Sequence, residues 1–513
     1  MNRPASISPS SAALPETAPQ ARSFLGHPLG LSTLFFIEMW ERFSYYGMRA
    51  FLILFMTAAV AKRGLGLDTQ TAGAVYGLFT SGAYLCSLPG GWLADRLLGQ
   101  RHAVLWGGAL ICIGNLMLAI PAGLALFYGG LAVIALGTGL LKTNSTVIVG
   151  QLYQGASDSR RDAGFSIFYL GINLGAFLAP FVAGTLAEEV GYRWGFAAAG
   201  CAMLLGLAQY RLTKGWLGDA GLLPAASSAA ERRRSRVLLF VGVALLGLLA
   251  AGAAAGWWSI DPRRLAQKME WVLALIAVGF FAAVLLLGRL TVAERRHVAV
   301  IVLFFVSAAI FWAGYEQAGT TLNLFARDQT DRSLFGRFFA TGLHPVTWYQ
   351  SIAPLFVLLL APVFAWIWVA LGRRKLEPSG PTKLGLGLLQ LGGSFLLMML
   401  AAQLVVGSGH KAAPGWLVAT YFLQTTGELC LSPIGLSNVS KLAPARLAGQ
   451  LMGVWLLSIS IGDLVAGLIG GEIGSGSVAA MPAQFLQMAW VGLISGAVLL
   501  AIARPVRRWM ASA

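Results

Sequence analysis

Long apolar segments alternate with short polar connections along almost the whole chain. A helix of about 20 mostly apolar residues is long enough to cross the hydrocarbon core of a bilayer. Fourteen segments near that length occur, at residues 31–60, 71–95, 102–121, 124–150, 163–187, 194–213, 236–258, 270–290, 297–326, 347–371, 383–406, 414–440, 447–471 and 484–504. The pattern predicts fourteen membrane-spanning helices, and the even number places both ends of the chain on one side.

The composition agrees with a protein that lies largely within a membrane. The 513 residues are 57% hydrophobic and 11% charged, whereas soluble domains are roughly 25% charged. The net charge of +16 does not indicate a nucleic-acid partner, because the basic residues cluster in short loops between apolar segments. We therefore expect lipids as surroundings and no nucleic acid as partner.

The basic residues are unevenly divided between the two sides of the membrane. Of the 37 Lys and Arg residues, 24 fall in the tails and in the loops after even-numbered segments, and 10 fall in the opposite loops. Cytoplasmic loops carry such an excess, so both termini are predicted to be cytoplasmic. Residues 1–30 are rich in Ser, Pro and Ala and are interpreted as a flexible cytoplasmic tail.

The seventh and eighth segments differ from the others, because their cores contain no ionisable residue. They lie in the middle of the chain and are expected to face lipid as a two-helix insertion at 217–295. The remaining segments form a six-helix bundle at 31–216 and a second at 296–513 with a short tail. Two six-helix halves are typical of transporters, and the predicted class is an all-α membrane protein.

The first apolar segment carries an unusual set of ionisable residues. At about 100° per residue, Glu38, Glu41, Arg42, Tyr45 and Arg49 share a wedge of roughly 100°. Each charge near the centre of a spanning helix costs about 2.5 to 3.5 kcal/mol. Such charges face a bundle interior or an aqueous pathway, so this wedge is a candidate functional site.

Few other ionisable residues lie well inside the predicted spans. Lys142, Glu316, Glu428 and Asp463 are the main ones. Buried charges must pair or meet water, so we expect a salt-bridge network that switches partners, with carboxylates that take up protons. The alternative is a static network that only fixes helix packing. Asp463 is either a structural cap or a pathway residue, and both interpretations stay open.

Polar and aromatic side chains accompany these charges. Asn173 offers an amide at membrane depth, where it either contacts a ligand or bonds a neighbouring helix. Aromatic rings in spans are most often packing residues, but several are candidates to line a cavity. These are Tyr45, Tyr46, Tyr84, Trp312 and Trp455.

The sequence lacks the motifs of several other classes of protein. It has no phosphate-binding loop for ATP, no metal-ligand cluster and no nucleophile–base set with familiar spacing. We therefore expect no enzyme, no metal and no cofactor, with protons as the coupling ion.

The loop after the second segment has its own pattern. In GGWLADRLLGQRH, Asp95 and Arg96 resemble the G-x-x-x-D-R-x-G-type loop of the major facilitator superfamily. A carboxylate here can accept bonds from a helix N-terminus and hold one conformation as a cytoplasmic latch. The alternative is a plain turn with solvated charges.

The first span resembles a specific family. Glu38-x-x-Glu41-Arg42-Phe43-x-Tyr45-Tyr46 is similar to the E-x-x-E-R-F-x-Y-Y motif of the proton-dependent oligopeptide transporters, which belong to the major facilitator superfamily. GGWLADRLLG at 90–99, FYLGINLG at 168–175 and GELCLSPIGLS at 427–437 fit the same family. The inserted helix pair is similar to that of bacterial members.

The resemblance implies proton-coupled import of di- and tripeptides by a bacterial inner-membrane protein that works as a monomer. It implies that Arg42 and Lys142 face the peptide carboxylate, and that Asn173 and Glu428 bind its amine. Proton coupling and gating would fall to Glu38, Glu41, Arg42, Arg49, Lys142 and Glu316. Within this set, the resemblance implies that Arg49 and Glu316 form a proton-sensitive gate salt bridge between the halves. Side-chain pockets would be lined by Tyr45, Tyr46, Tyr84, Trp312 and Trp455.

One position departs from the family pattern. In YQSIAPLF the family usually has an asparagine before the proline, where this chain has Ala353. The same fold carrying another solute, such as nitrate or an organic anion, is therefore the leading alternative. Drug efflux and a nutrient sensor that binds without transport are weaker ones.

Overall fold

The structure is a computed structural model, and it describes residues 23–155, 157–222, 229–257 and 260–511. Fourteen long helical segments make up nearly all of these ranges, which confirms the predicted all-α membrane fold. In chain order they are α1 Gly30–Thr57; α2 Thr69–Leu85, continued by Ser87–Leu93 and Ala94–Leu98; α3 Gln100–Ala119; α4 Gly123–Leu152; α5 Asp158–Ala179, continued by Pro180–Gly184 and Leu186–Val190; α6 Tyr192–Thr213; α7 Ala229–Ala254; α8 Pro262–Leu287; α9 Val292–Tyr315, continued by Glu316–Gly319 and Thr321–Asp328; α10 Val346–Ser351, continued by Ile352–Arg373; α11 Gly380–Ser408; α12 Gly415–Leu442; α13 Ala448–Ser475; and α14 Met481–Met510.

Hydropathy explains most of these helices. In the described part of the chain, nine helical segments are long and apolar enough by themselves to cross a membrane. The first helix is not among them, because it carries the four charges Glu38, Glu41, Arg42 and Arg49. Its length and its packing within the first bundle, rather than its hydropathy, identify it as a span.

Short strands and turns complete the described chain. The strands β1 (Ser23–Phe24) and β2 (His27–Pro28) pair antiparallel just before α1. Short 3₁₀ turns are found at Val60–Lys62, Lys214–Leu217, Gly336–Phe338, Ala445–Leu447 and Val478–Ala480.

Local polar residues set several helix starts. The Asp68 carboxylate accepts the Thr71 N–H at 2.9 Å at the start of α2. This backbone hydrogen bond holds the pKa of Asp68 below its usual range. Thr291 and Glu294 form a reciprocal capping box at the start of α9, which satisfies N–H groups that the helix cannot bond itself.

The helices pack as two bundles. In the first, α1 packs on α5 and α6, and α3 packs on α4 and α6; in the second, α11 packs on α12 and α14, and α9 packs on α13. We call these the N half and the C half. They meet along two pairs of helices, α2 with α13 and α5 with α10.

Glycines allow α2 and α13 to approach closely. Gly73 and Gly77 of α2 face Gly467 and Gly471 of α13. A Cβ atom built on Gly77 would lie 2.9 Å from the Leu464 carbonyl oxygen and 3.1 Å from the Gly467 Cα. The backbones therefore touch without intervening side chains, as small residues permit in membrane helices.

Hydrogen bonds between the halves cluster at the end of the bundle that carries loops 58–68 and 329–345. Asn323 Nδ2 donates to the Ala50 carbonyl at 2.7 Å, and Arg327 Nη1 donates to Thr57 Oγ1 at 2.8 Å. We call this the closed end.

The two inserted helices behave differently from each other. On α7, Phe240, Val243 and Leu248 are more than half exposed, as expected of a helix that faces lipid. By contrast, α8 packs on both α2 and α13. Its buried residues, Ala266, Leu273, Ala277, Phe281 and Val284, form one stripe, so this helix covers the line along which the halves meet.

Candidate functional site

The charged wedge of α1 is buried and internally paired. Arg42 Nη2 lies 3.1 Å from Glu38 Oε1, one helical turn away. Arg42 Nε also lies 2.9 Å from Glu41 Oε2, although the two are not aligned as a hydrogen bond. Ser145 of α4 donates to the other oxygen of Glu38 at 2.8 Å. One guanidinium therefore contacts two carboxyl groups.

A second ion pair joins the two halves. Arg49 of α1 bonds Glu316 of α9 and also the Tyr76 phenol of α2. Glu316 lies where the α-helical turns of α9 give way to a tighter 3₁₀ turn. The sequence predicted these two residues as gate partners, and the structure brings them into contact across the halves.

Lys142 has a different environment from the two arginines. Its ammonium nitrogen lies 3.7 Å from the centre of the Tyr84 ring, a cation–π distance. Among the ion pairs of the described residues, none includes Lys142. The cation is thus held by an aromatic face and is available to an anionic ligand.

A cavity of about 270 Å³ lies between the halves. This is the volume of roughly nine liquid waters, which is enough for a small ligand. Most of the predicted binding and gating residues line its wall. These are Arg42, Tyr46, Arg49, Tyr84, Lys142, Asn173, Trp312, Glu316 and Glu428.

The remaining predicted residues lie outside this wall. Glu38 and Glu41 sit behind Arg42, and Tyr45 packs against the Phe79 ring at 6.0 Å. Trp455 is 6% exposed within the core between helices. At the end opposite the closed end, Asp95 accepts the Gln100 amide at 2.9 Å, and Arg96 lies over the Trp92 ring.

The cavity also contains residues that sequence reasoning did not single out. They are mainly phenols and an amide, and they are Tyr169, Tyr315, Gln350 and Tyr421. Tyr315 interacts with the Glu428 side chain, so a phenol accompanies that carboxylate. Adjacency to Glu316 was the one sequence signal for Tyr315, whereas the other three stand in apolar segments without any charged neighbour in the sequence.

Two positions that the sequence left open also lie in or near this site. Ala353 belongs to the cavity wall, where its methyl group offers no hydrogen bond. Asp463 of α13 is 1% exposed, and its Oδ1 has no hydrogen-bond partner among the described residues. Its electrostatic neighbours include Glu316, Arg49 and Lys142, so it belongs to the same charged region.

The distribution of charge around the cavity defines what it can hold. Arg42 and Lys142 come from the N half, whereas Glu428 comes from the C half and Asn173 adds an amide from α5. Tyrosine and tryptophan rings supply the walls between them. A ligand with an anionic and a cationic end can therefore find partners for both, while its middle part meets aromatic surface.

Comparison with known proteins identifies close relatives over the whole length. The POT family (PTR2) matches residues 101–481. The peptide transporter YePEPT of Yersinia enterocolitica subsp. palearctica serotype O:3 is 42% identical over 505 residues, which cover 96% of this chain and 97% of that protein. A di-/tripeptide transporter of Lactococcus lactis subsp. cremoris is 36% identical over 507 residues, covering 95% and 98%.

A solved structure agrees with these sequence relatives. The crystal structure of a peptide transporter POT in complex with sulfate has a TM-score of 0.87 to this chain at 41% identity, covering 96% of this chain and 97% of that one. Sequence and fold therefore agree over nearly the full length. This chain is a multi-pass membrane protein and belongs to the POT family of transporters.

Proposed function

We propose that this protein is a proton-coupled symporter that imports di- and tripeptides by alternating access. The observation that carries the proposal is the cavity between the halves, which is lined by the N-half cations Arg42 and Lys142, the amide of Asn173 and the C-half carboxylate Glu428. A peptide is a zwitterion whose charged ends are separated by a backbone of nearly fixed length. Recognition of those ends leaves the side chains free to vary.

In the proposed complex, Arg42 and Lys142 bind the peptide carboxylate, and Glu428 with Asn173 binds the amine. Tyr46, Tyr84 and Trp312 contact side chains. The names of the relatives as peptide transporters support this substrate class. The sulfate complex of a related transporter supports the presence of an anion site in the family.

Proton uptake is proposed to act through the buried carboxylates. Neutralisation of Glu316 weakens its pair with Arg49 and loosens the contact between the halves. Glu38 and Glu41 relay protons next to Arg42, which then becomes available to the peptide. Ligand and proton together favour the opposite conformation, from which both are released.

The proposed orientation places both termini in the cytoplasm of a bacterium and the closed end at the periplasm, across the inner membrane. The uneven distribution of basic loops supports this arrangement. A single chain contains both halves and the complete cavity, so we propose that the monomer is functional in the lipid bilayer, with Asp95 and Arg96 as the cytoplasmic latch.

The substrate class is tested by competition in proteoliposomes. Uptake of labelled dialanine is measured against unlabelled dialanine, its C-terminal amide and its N-acetyl form. Hydrogen bonds to charged groups contribute about 1.5 to 3 kcal/mol, so we expect each capped form to compete at least roughly tenfold more weakly.

The same assay distinguishes the alternative substrate. Ala353 removes a polar anchor from the wall, and a smaller anion would not need that anchor. Uptake of labelled nitrate or of a labelled organic anion, with no uptake of labelled dialanine, would contradict the peptide proposal and favour anion transport.

A further inference from the structure

A carboxylate that lies outside the cavity joins the two halves at the closed end. Glu188, near the end of α5, accepts the backbone N–H of Val346 at 2.9 Å and that of Thr347 at 2.8 Å. Those N–H groups begin α10 in the other half. The first turn of a helix leaves its N–H groups without internal partners, and here the cap comes from a different bundle.

Further contacts between α5 and α10 lie next to this cap. The Trp348 indole N–H donates to Thr185 Oγ1 at 2.9 Å, and Ser351 Oγ donates to the Phe177 carbonyl at 2.8 Å. A Cβ atom on Gly184 would lie 2.5 Å from Thr347 Cβ. The two helices are thus fitted closely, and Glu188 supplies the carboxylate of this contact.

A positively charged residue in the loop before α10 lies near the Glu188 carboxylate. Arg332 Nη1 lies 3.9 Å from Glu188 Oε2 and donates to the His344 carbonyl at 2.6 Å. The loop that enters α10 is therefore tied to the same carboxylate. A carboxylate that accepts two N–H groups at a helix N-terminus is favoured by both the hydrogen bonds and the helix dipole.

The capped turn leads directly into the cavity wall. Thr347 is one turn before Gln350, and Ala353 follows on the next turn; Gln350 and Ala353 both line the cavity. Gln350 Nε2 also bonds the Ala318 carbonyl of α9. The position of the first turn of α10 therefore sets one wall of the site as well as the closure of this end.

We infer that Glu188 is a positioning residue for transport, which docks the start of α10 on α5 and thereby stabilises the conformation closed at the periplasmic end. The inference rests on the proposed alternating access. When that end opens, the halves separate and the two N–H groups lose the carboxylate, so the strength of this cap sets the balance between the conformations.

The test compares Glu188→Gln with Glu189→Gln in detergent or lipid without any peptide. Glu189 is the adjacent, exposed carboxylate and serves as a matched control. Spin labels on cysteines introduced at Val60 and Leu334, which are 72% and 68% exposed, report the distance between the halves at the closed end. The four native cysteines are replaced first.

We expect Glu188→Gln to increase the ratio of long to short distances roughly tenfold, since an amide loses the charge and one acceptor. Glu189→Gln is expected to match the parent. Glu188→Asp, which keeps the charge on a shorter side chain, is expected to lie between them. Thermal unfolding of each variant checks that the fold is retained.

An unchanged distance distribution in folded Glu188→Gln would overturn the inference, as would an equal shift in Glu189→Gln. The distances are measured without substrate, so they do not depend on which solute is carried. Labelled dialanine uptake by the parent protein, measured separately, reports whether the proposed function itself fails.

Discussion

At the scale of single residues, the buried charges differ in how firmly they are held. Arg42 lies within 3.1 Å of two carboxylates, and Arg49 pairs with Glu316 across the halves. Lys142 rests on the Tyr84 ring instead. Removing one partner of a buried ion pair leaves an unpaired charge and costs about 3 to 5 kcal/mol. Among the described residues around the cavity, Arg42 thus belongs to a tight cluster, Arg49 to a pair between the halves, and Lys142 to no ion pair.

Glu316→Gln removes the group proposed to take up the gating proton while keeping its shape. We expect proton-driven accumulation of labelled dialanine to fall at least roughly tenfold, because the pair with Arg49 no longer responds to protons. Counterflow of labelled peptide should persist, since exchange requires no net proton movement. Proteoliposome uptake measures both, and normal accumulation by the variant would rule out the gating role.

Lys142→Ala removes the available cation from the cavity. We expect dialanine affinity to fall roughly tenfold or more, because the peptide carboxylate loses a charged donor, and uphill transport to disappear. Lys383→Ala serves as the control for loss of a buried lysine, because Lys383 also lies over an aromatic ring, Trp368, at 4.2 Å but outside the cavity, where it pairs with Glu377 at 2.6 Å. Isothermal titration compares the variants; equal loss of affinity in both would show a general rather than a local effect.

The charged residues of the site could be singled out from the sequence. Glu38, Arg42, Arg49, Lys142 and Glu316 stood out because ionisable residues are rare in spanning helices. Helical spacing orders residues within one helix but not between helices, so the pairing of Arg49 with Glu316 was anticipated only through the family resemblance.

The residues that sequence reasoning missed lacked such a signal. Tyr169, Gln350 and Tyr421 are uncharged side chains within apolar segments, where such residues commonly only pack. Glu188 lies at the end of its segment, where an acidic residue is ordinary at a membrane surface. Its partners are backbone N–H groups, which no side-chain pattern reveals.

At the scale of elements, the contact between α2 and α13 depends on glycine. Gly77 approaches the Leu464 carbonyl so closely that an added Cβ would lie 2.9 Å from that oxygen. Because the backbones of α2 and α13 approach closely, the two halves meet here without interlocking side chains. Such a surface suits the proposed alternating access, in which the two bundles separate and close.

Gly77→Leu is expected to hold the closed end open by forcing these helices apart. Transport of dialanine should fall at least roughly tenfold, because inserting bulk into a tight contact costs about 1 to 3 kcal/mol. Gly82→Leu on the same helix is the control, since a Cβ there meets nothing within 4 Å. Spin labels at Val60 and Leu334 should show longer distances only for Gly77→Leu; equal behaviour of the two variants would contradict this account.

The existence of the helices was predictable from the sequence, but their ends, their 3₁₀ turns and their packing were not. The fourteen apolar segments correspond to fourteen helices, since spanning length and hydropathy are properties of local sequence. The observed helices extend beyond the apolar segments, as α14 does from Met481 to Met510. The 3₁₀ turn at Glu316 and the packing of α8 between α2 and α13 depend on tertiary contacts that a hydropathy pattern does not contain.

At the scale of the whole molecule, two bundles enclose a charged cavity and meet at one end. Contacts at that end include the Arg49–Glu316 pair, the Asn323 bond to Ala50 and the Glu188 cap. Span count and charge distribution predict a division into halves, whereas the pairing of α2 with α13 and α5 with α10 has no sequence signal. The rarity of charges in spans suggested a network that includes both halves, and the resemblance to a family added that these residues share one site.

Coupling between protons and peptide is the central claim, and purified protein in liposomes tests it. Labelled dialanine uptake is followed under an inward proton gradient with a negative interior, where each charge moved gains about 2.3 kcal/mol per 100 mV. We predict accumulation above equilibrium that a proton ionophore abolishes. Accumulation that survives the ionophore would contradict proton-coupled peptide import. So would a lack of accumulation when the protein is folded and inserted in the membrane.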